Sequence, residues 1–171
     1  MRKLYLLCGA PFSGKTTLAQ KLAAKTHSNY VSMDDIMRQR GFDLSHLQPV
    51  EEWGRAHHIC VQRIDALMGE GVSVVLDDTN YLKGLRDVFR ALAYQHQYAI
   101  TTIYLQVSLS ELEKRRKNAF CTGERNTLPD EAFYPIIEQF EPPDASENPL
   151  IYDGMLNVNE WIEHHILHNL D

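Results

Sequence analysis

Long apolar runs are missing from this 171-residue chain. No stretch approaches the ~20 residues that a membrane-spanning helix needs, and the mean hydropathy is -0.35, so a transmembrane helix is excluded. Cysteine is scarce. Cys8, Cys60 and Cys121 are widely spaced and odd in number, which argues against a disulfide framework or a CxxC metal site and points to a reducing, cytoplasmic compartment. Positive charge is outnumbered, with 17 Lys and Arg against 23 Asp and Glu and a net charge of -6. A broad nucleic-acid surface requires the opposite sign, so any polyanionic ligand must be met by a local basic site. The opening Met1-Arg2-Lys3-Leu4 leads into an apolar run that breaks at Gly9 without a small-residue cleavage site, and no signal peptide is expected. There is no HExxH pair, so His164 and His168, one helical turn apart, are not read as metal ligands. Repeats and low-complexity tracts are absent as well. The 44% of hydrophobic residues suffice for a core, and the expectation is one domain over residues 1–171.

What is present alternates. Short, nearly continuous apolar runs at 4–8, 29–33, 72–76 and 98–107, with a shorter one at 150–152, read as buried strands. Between them lie segments with helical spacing. The segment 16–25 places Leu18, Ala19 and Leu22 on one stripe, and 50–68 places Trp53, Ala56, Cys60, Ile64 and Leu67. The segment 82–95 directs Leu85, Val88, Phe89 and Leu92 inward. Ser110 is the expected cap of a charged helix over 111–118, and further helices are expected at about 130–140 and 158–168. Residues 119–130 read as a loop or lid. Strands alternating with helices imply an α/β domain with a parallel sheet.

Between the first strand and the first helix stands Gly9-Ala10-Pro11-Phe12-Ser13-Gly14-Lys15-Thr16, followed by Thr17. It fits GxxxxGK[ST], the phosphate cradle. Glycines admit positive φ and let backbone N–H groups converge on an anion, and the helix N-terminus adds its dipole. Lys15 reaches the β- and γ-phosphates of ATP, and the Thr16 hydroxyl ligates Mg²⁺. No Asn-Lys-x-Asp follows to read guanine, which leaves ATPases and small kinases. Ligands of open parallel sheets bind at the carboxyl ends of the strands, and two more such ends carry carboxylates: Asp34-Asp35, where a helix N-cap is expected, and Asp77-Asp78-Thr79-Asn80. Phosphoryl transfer needs a base for the acceptor hydroxyl and cations on the moving phosphoryl group. One of Asp34 and Asp35 suits the base. Of Asp77 and Asp78, one suits the metal and the other the acceptor side. Lys114-Arg115-Arg116-Lys117 and Arg125 are the candidate cations, with Arg115 and Arg116 as alternatives on the helix and Arg125 on the lid.

The cradle, Ser-Met-Asp-Asp at 32–35, Val-Leu-Asp-Asp-Thr-Asn at 75–80 and Leu-Glu-Lys-Arg-Arg before the lid resemble, in order over residues 3–143, the small P-loop kinases typified by polynucleotide 5′-hydroxyl kinases. Chloramphenicol phosphotransferase-like and zeta-toxin-like proteins belong to the wider set. The resemblance implies a P-loop NTPase (nucleoside-kinase-like) three-layer fold with a four- or five-stranded parallel sheet. It also implies ATP and Mg²⁺ as reactants, Asp34 as the general base, and Arg115 and Arg125 as lid arginines. In that family an arginine three residues after the base holds the acceptor's phosphate, and a partner matching Asp78 orients it. Here that position is Met37, with Arg38 beside it. Asp35, Arg38, Asp78 and Asn80 are the expected acceptor-side residues, and Thr16 and Asp77 the metal side. The departure at Met37 and the acidic charge favour a small hydroxyl-bearing acceptor over a nucleic-acid 5′-hydroxyl. The rival reading is a P-loop ATPase or nucleotide switch acting on a protein partner. Such a switch usually offers Glu or Gln near the third strand to activate water, and this chain has Asp77-Asp78-Thr79-Asn80 there.

Overall fold

The computed structural model describes residues 2–122 and 128–168. Five strands, β1 (Lys3–Cys8), β2 (Asn29–Ser32), β3 (Val74–Asp77), β4 (Ala99–Leu105) and β5 (Leu150–Tyr152), form one sheet in the order β2-β3-β1-β4-β5. Every pairing is parallel, with Leu4 opposite Val74 and Ile100, and Ser32 opposite Asp77. The helices are α1 (Lys15–Thr26), α2 (Met33–Gln39), α3 (Val50–Gly69), α4 (Lys83–Gln95), α5 (Leu109–Thr122), α6 (Asp130–Glu138) and α7 (Val158–Ile162), which runs on as a π-helical turn over Glu163–Leu167.

Strand alternation divides the core into two layers. Leu4, Leu6, Val74 and Leu76 face one side, where Ile36, Ala56, Cys60, Ile64, Phe89 and Leu92 from α2, α3 and α4 cover them. Tyr5, Leu7 and Val75 face the other, against Leu18, Ala19 and Leu22 of α1 and Trp161, Ile162 and Ile166 at the end of the chain. A sheet covered by helices on both faces explains why its central strands read as continuous apolar runs rather than alternating ones. The sheet order carries the chain from β1 outward to β2, back through β3, and then past β1 to β4. The carboxyl end of β1 is therefore the crevice where ligands of such sheets bind.

Several boundaries depart from the sequence expectation. The third strand starts two residues later and ends on Asp77, so the first aspartate of the pair is part of the sheet. Ser108, not Ser110, begins α5: its Oγ accepts from Glu111 N at 3.4 Å and its carbonyl from Leu112 N at 3.0 Å. The same helix continues to Thr122, so residues 119–122 of the expected lid are helical. On α4 the inward residues include a fully buried Arg86, while Val88 is 41% exposed.

Candidate active site

The cradle is built on two glycines with different tasks. Gly14, the residue before α1, adopts φ 99°, a left-handed backbone for which glycine carries no steric penalty. A Cβ there would meet no heavy atom within 4 Å. Gly9 is needed for closeness instead: a Cβ there would lie 2.9 Å from Ser13 Oγ and 3.1 Å from Leu105 Cβ. Phe12 takes a positive φ of 67° without being glycine. The Lys15 ammonium folds back onto the loop and donates to the Ala10 carbonyl at 2.8 Å. Burial lowers its pKa, and the charges of Asp77, Asp78 and Asp34, in that order, pull it back up. Ser13 Oγ is buried and has no hydrogen-bond partner among the described residues. An orphaned hydroxyl, a buried ammonium and the opening N–H groups of α1, which have no carbonyl in a preceding turn, form a donor set suited to phosphate oxygens. Thr16 is half-buried and Thr17 exposed on the first turn of that helix.

The strand-end aspartates are separated by the pleat. Asp77 shares the face of Val75, the side of α1, and its Oδ2 accepts from the Tyr30 hydroxyl at 2.7 Å. Asp78 follows on the other side, where its charge acts on Cys60 of α3. Burial pushes the Asp78 carboxyl up to about 6, against a lowering by the Thr79 N–H that it accepts at 2.7 Å. Asp34 lies in the first turn of α2 and does not cap it. Ser32 is the N-cap, its Oγ accepting from Asp35 N at 3.2 Å. Although 57% of the Asp34 side chain is open, surrounding protein raises its pKa, with Arg38 lowering and Asp77 raising it further.

Arg38 is held by the two aspartates before it, 2.9 Å from Asp35 and 3.8 Å from Asp34. Met37 is fully buried among Ile36, Leu44 and Ala56, so position 37 belongs to the core here and offers nothing to an acceptor. Asn80, expected on the acceptor side, is also interior. It has no exposed surface and donates from Nδ2 to the Leu7 carbonyl at 2.7 Å, while its own carbonyl accepts from Arg86 at 2.8 Å. It ties the ends of β1 and β3 together beneath the cradle, alongside the bond from Gly9 N to the Thr79 carbonyl.

The two helix arginines diverge. Arg115 Nη1 donates to the carbonyls of Ser13 at 3.2 Å and Phe12 at 3.4 Å, and its Nε donates to Glu111. Arg116 turns to α6, donating to the Leu128 carbonyl at 2.9 Å, pairing with Asp130 and lying 4.8 Å from the Phe133 ring centroid. Arg125 lies outside the described residues. Sequence reasoning missed Arg86, whose guanidinium reaches Asn80, Glu141 and Glu147 in one buried network. The available signal was its place one turn before Phe89 on the inward stripe of α4.

Among the described residues no group of three or more His, Cys, Asp or Glu could hold a metal. An ion at Thr16 and Asp77 would draw most of its shell from phosphate and water. That suits Mg²⁺, which keeps several waters and takes hard oxygen donors. Among the described residues no helix is long and apolar enough to cross a membrane.

A family model described as AAA domain matches residues 4–143. No curated protein matches the chain. Among solved structures it is similar to the Mycobacterium tuberculosis APS kinase CysC in complex with AMPPNP and APS. That match has 16% identity over 99% of this chain and 98% of that one, with a TM-score of 0.71. It is also similar to a gluconokinase from Sinorhizobium meliloti, at 17% identity over 99% and 95% with a TM-score of 0.69. Chaetomium thermophilum Kti12 in complex with ADP-AlF3 matches at 16% identity over 94% and 96%, with a TM-score of 0.73. At these identities the likeness is one of fold, the α/β P-loop NTPase.

Proposed function

The chain belongs to the AAA domain family, and we propose that it is an ATP-dependent phosphotransferase that moves the γ-phosphoryl group to the hydroxyl of a small molecule. One observation carries the reading. A single cradle gathers a buried lysine, three strand-end or first-turn carboxylates whose charges act on it, and an arginine that reaches its carbonyls from α5. The structural neighbours that bind AMPPNP or ADP-AlF3 on the same fold support nucleotide use.

In this reading residues Gly9 to Thr17 hold the triphosphate, with Lys15 as its fixed cation. Mg²⁺, when bound, neutralises phosphate charge; Thr16 and Asp77 would hold it. Asp34 takes the proton of the acceptor hydroxyl, a role suited to a water-accessible carboxyl with a raised pKa. Asp35, Arg38 and Asp78 line the acceptor side. Arg115, with Arg125 from the lid, stabilises charge spread over the transferring group. Arg38 is already engaged by two carboxylates, and Met37 is core. Among the described residues no free cation stands at that point to grip an acceptor phosphate, which supports a small hydroxyl compound over a nucleic-acid end.

The test is transfer of radiolabelled phosphate from ATP across a panel of small alcohols, sugars and oligonucleotide ends. Labelling of a small hydroxyl compound is expected. Hydrolysis that responds only to an added protein, with no labelled acceptor, would establish the ATPase switch instead.

A further inference from the structure

Tyr30 has no part in the chemistry described so far, yet its hydroxyl meets Asp77 Oδ2 at 2.7 Å. The pleat explains the contact. Tyr30 pairs with Val75 across β2 and β3, and Asp77 stands two residues further along the same face. A tyrosine is long enough to span that diagonal. The ring is seated against the core layer formed with α1, so the hydroxyl is held by packing and not by the carboxylate alone. Asp77 is itself 6% exposed and has the largest carboxylate effect on the Lys15 ammonium.

We propose that Tyr30 is a positioning residue for the metal side of the cradle: by occupying one oxygen of Asp77, it fixes the carboxylate so that the other serves Mg²⁺ and its waters. The inference rests on the phosphotransferase reading above in that it assigns Asp77 to the metal. Outer partners that orient ligating carboxylates govern metal affinity, and a carboxylate with no such partner must be ordered when the ion arrives. Tyr30 lies on the sheet edge, outside the cradle motif and both aspartate pairs.

The experiment is calorimetric titration of the full chain with ATP, first in EDTA and then across Mg²⁺ concentrations. Tyr30→Phe removes the hydroxyl and keeps the ring. The expected result is unchanged ATP affinity in EDTA and about a tenfold rise in the Mg²⁺ concentration that half-maximally tightens binding. Asp77→Asn should show the same rise, and adding Tyr30→Phe to it should produce no further change, because the two residues act as one unit. A wild-type Mg²⁺ midpoint in Tyr30→Phe, or effects that simply add, overturns the proposal while leaving the kinase reading standing. Absence of ATP binding by the wild-type chain overturns both. Should Tyr30→Phe fail to fold, Tyr30→Leu, which also lacks the hydroxyl, carries the test: a raised midpoint supports the proposal and a wild-type midpoint overturns it.

Discussion

Arg86 and Glu147, 61 positions apart, meet through two parallel hydrogen bonds of 2.7 and 2.8 Å with neither side chain exposed. The same guanidinium donates to the carbonyls of Asn80 at 2.8 Å and Glu141 at 2.9 Å. It thus joins the segment returning from α6 to the turn that ties β1 to β3 under the cradle. Burial alone would raise the Glu147 pKa, but the hydrogen bonds and charge of Arg86 outweigh it and hold the carboxyl below its usual value.

Breaking that pair from one side leaves an uncompensated buried charge. Glu147→Leu and Arg86→Met are each expected to cost about 3–5 kcal/mol, and the double variant Arg86→Met/Glu147→Leu to regain most of the loss. Urea denaturation of the four proteins checks this. Two single losses that add up in the double variant would mean that the pair is not a unit.

Asp78 sets a pH dependence of opposite sign to that of Glu147. Its folded-state pKa is raised to about 6 from 3.8, so the fold penalises its charged form. The associated stability is present at low pH and is lost as pH rises from about 4 through about 6. Asp78→Asn, which cannot ionise, should become more stable relative to wild type across that window. The gain should level off at no more than about 3 kcal/mol above it. Melting curves of the two proteins at pH 4, 5, 6 and 7 measure the difference. A constant offset would show that Asp78 titrates as an ordinary carboxylate.

Asp34→Asn should leave the fold and ATP affinity near normal, because the capping hydrogen bond comes from Ser32 and the Asp34 carboxyl is more than half open. Loss of a first-turn negative charge costs at most about 1 kcal/mol. Turnover, however, should fall by about 10²–10⁴ if Asp34 is the base. Single-turnover transfer to the best acceptor of the panel decides it, and normal turnover would move the role to Asp35. Ser32→Ala is the matching control, with a stability loss of about 1 kcal/mol.

Much of this arrangement is legible in the chain. The apolar runs give all five strands: in β1 and β3 burial on both faces leaves no polar alternation to confuse them, and β5 falls on residues 150–152 as expected although it is only partly buried. The cradle is legible because its glycines and lysine are dictated by phosphate geometry. The cap of α2 could have been read from Ser32-Met-Asp-Asp35, a serine three residues ahead of an acid; two adjacent aspartates drew attention from it. The split between Asp77 and Asp78 follows from pleat parity, but only once β3 is carried one residue further than its apolar run. Arg86 and Glu147 are different in kind. Glu147 looks like a surface charge locally, Arg86 is marked only by its place on the inward stripe of α4, and only the fold brings them together. The tail after Pro143, outside both the resemblance and the family match, supplies the carboxylate.

Arg115 and Arg116 are adjacent in sequence, equal in charge and opposite in surroundings. Arg115 touches the cradle carbonyls, whereas Arg116 stacks over Phe133 and pairs with Asp130. A charge needed most in the transition state affects rate more than ground-state binding. Arg115→Ala should therefore lower phosphoryl transfer by about 10²-fold or more with a much smaller change in ATP affinity. Arg115→Lys should recover only part of the loss, since the guanidinium reaches the cradle carbonyls through Nη1 while Nε stays on Glu111, and an ammonium is a single point charge. Arg116→Ala should behave in the reverse way, losing about 1 kcal/mol of stability through the cation–π contact and the pair while keeping its turnover. Measuring kcat, ATP affinity and melting for all three variants separates the two arginines. Equal losses of kcat at 115 and 116 would mean that the charge of the helix as a whole, and not the reach of one side chain to the cradle, drives the reaction.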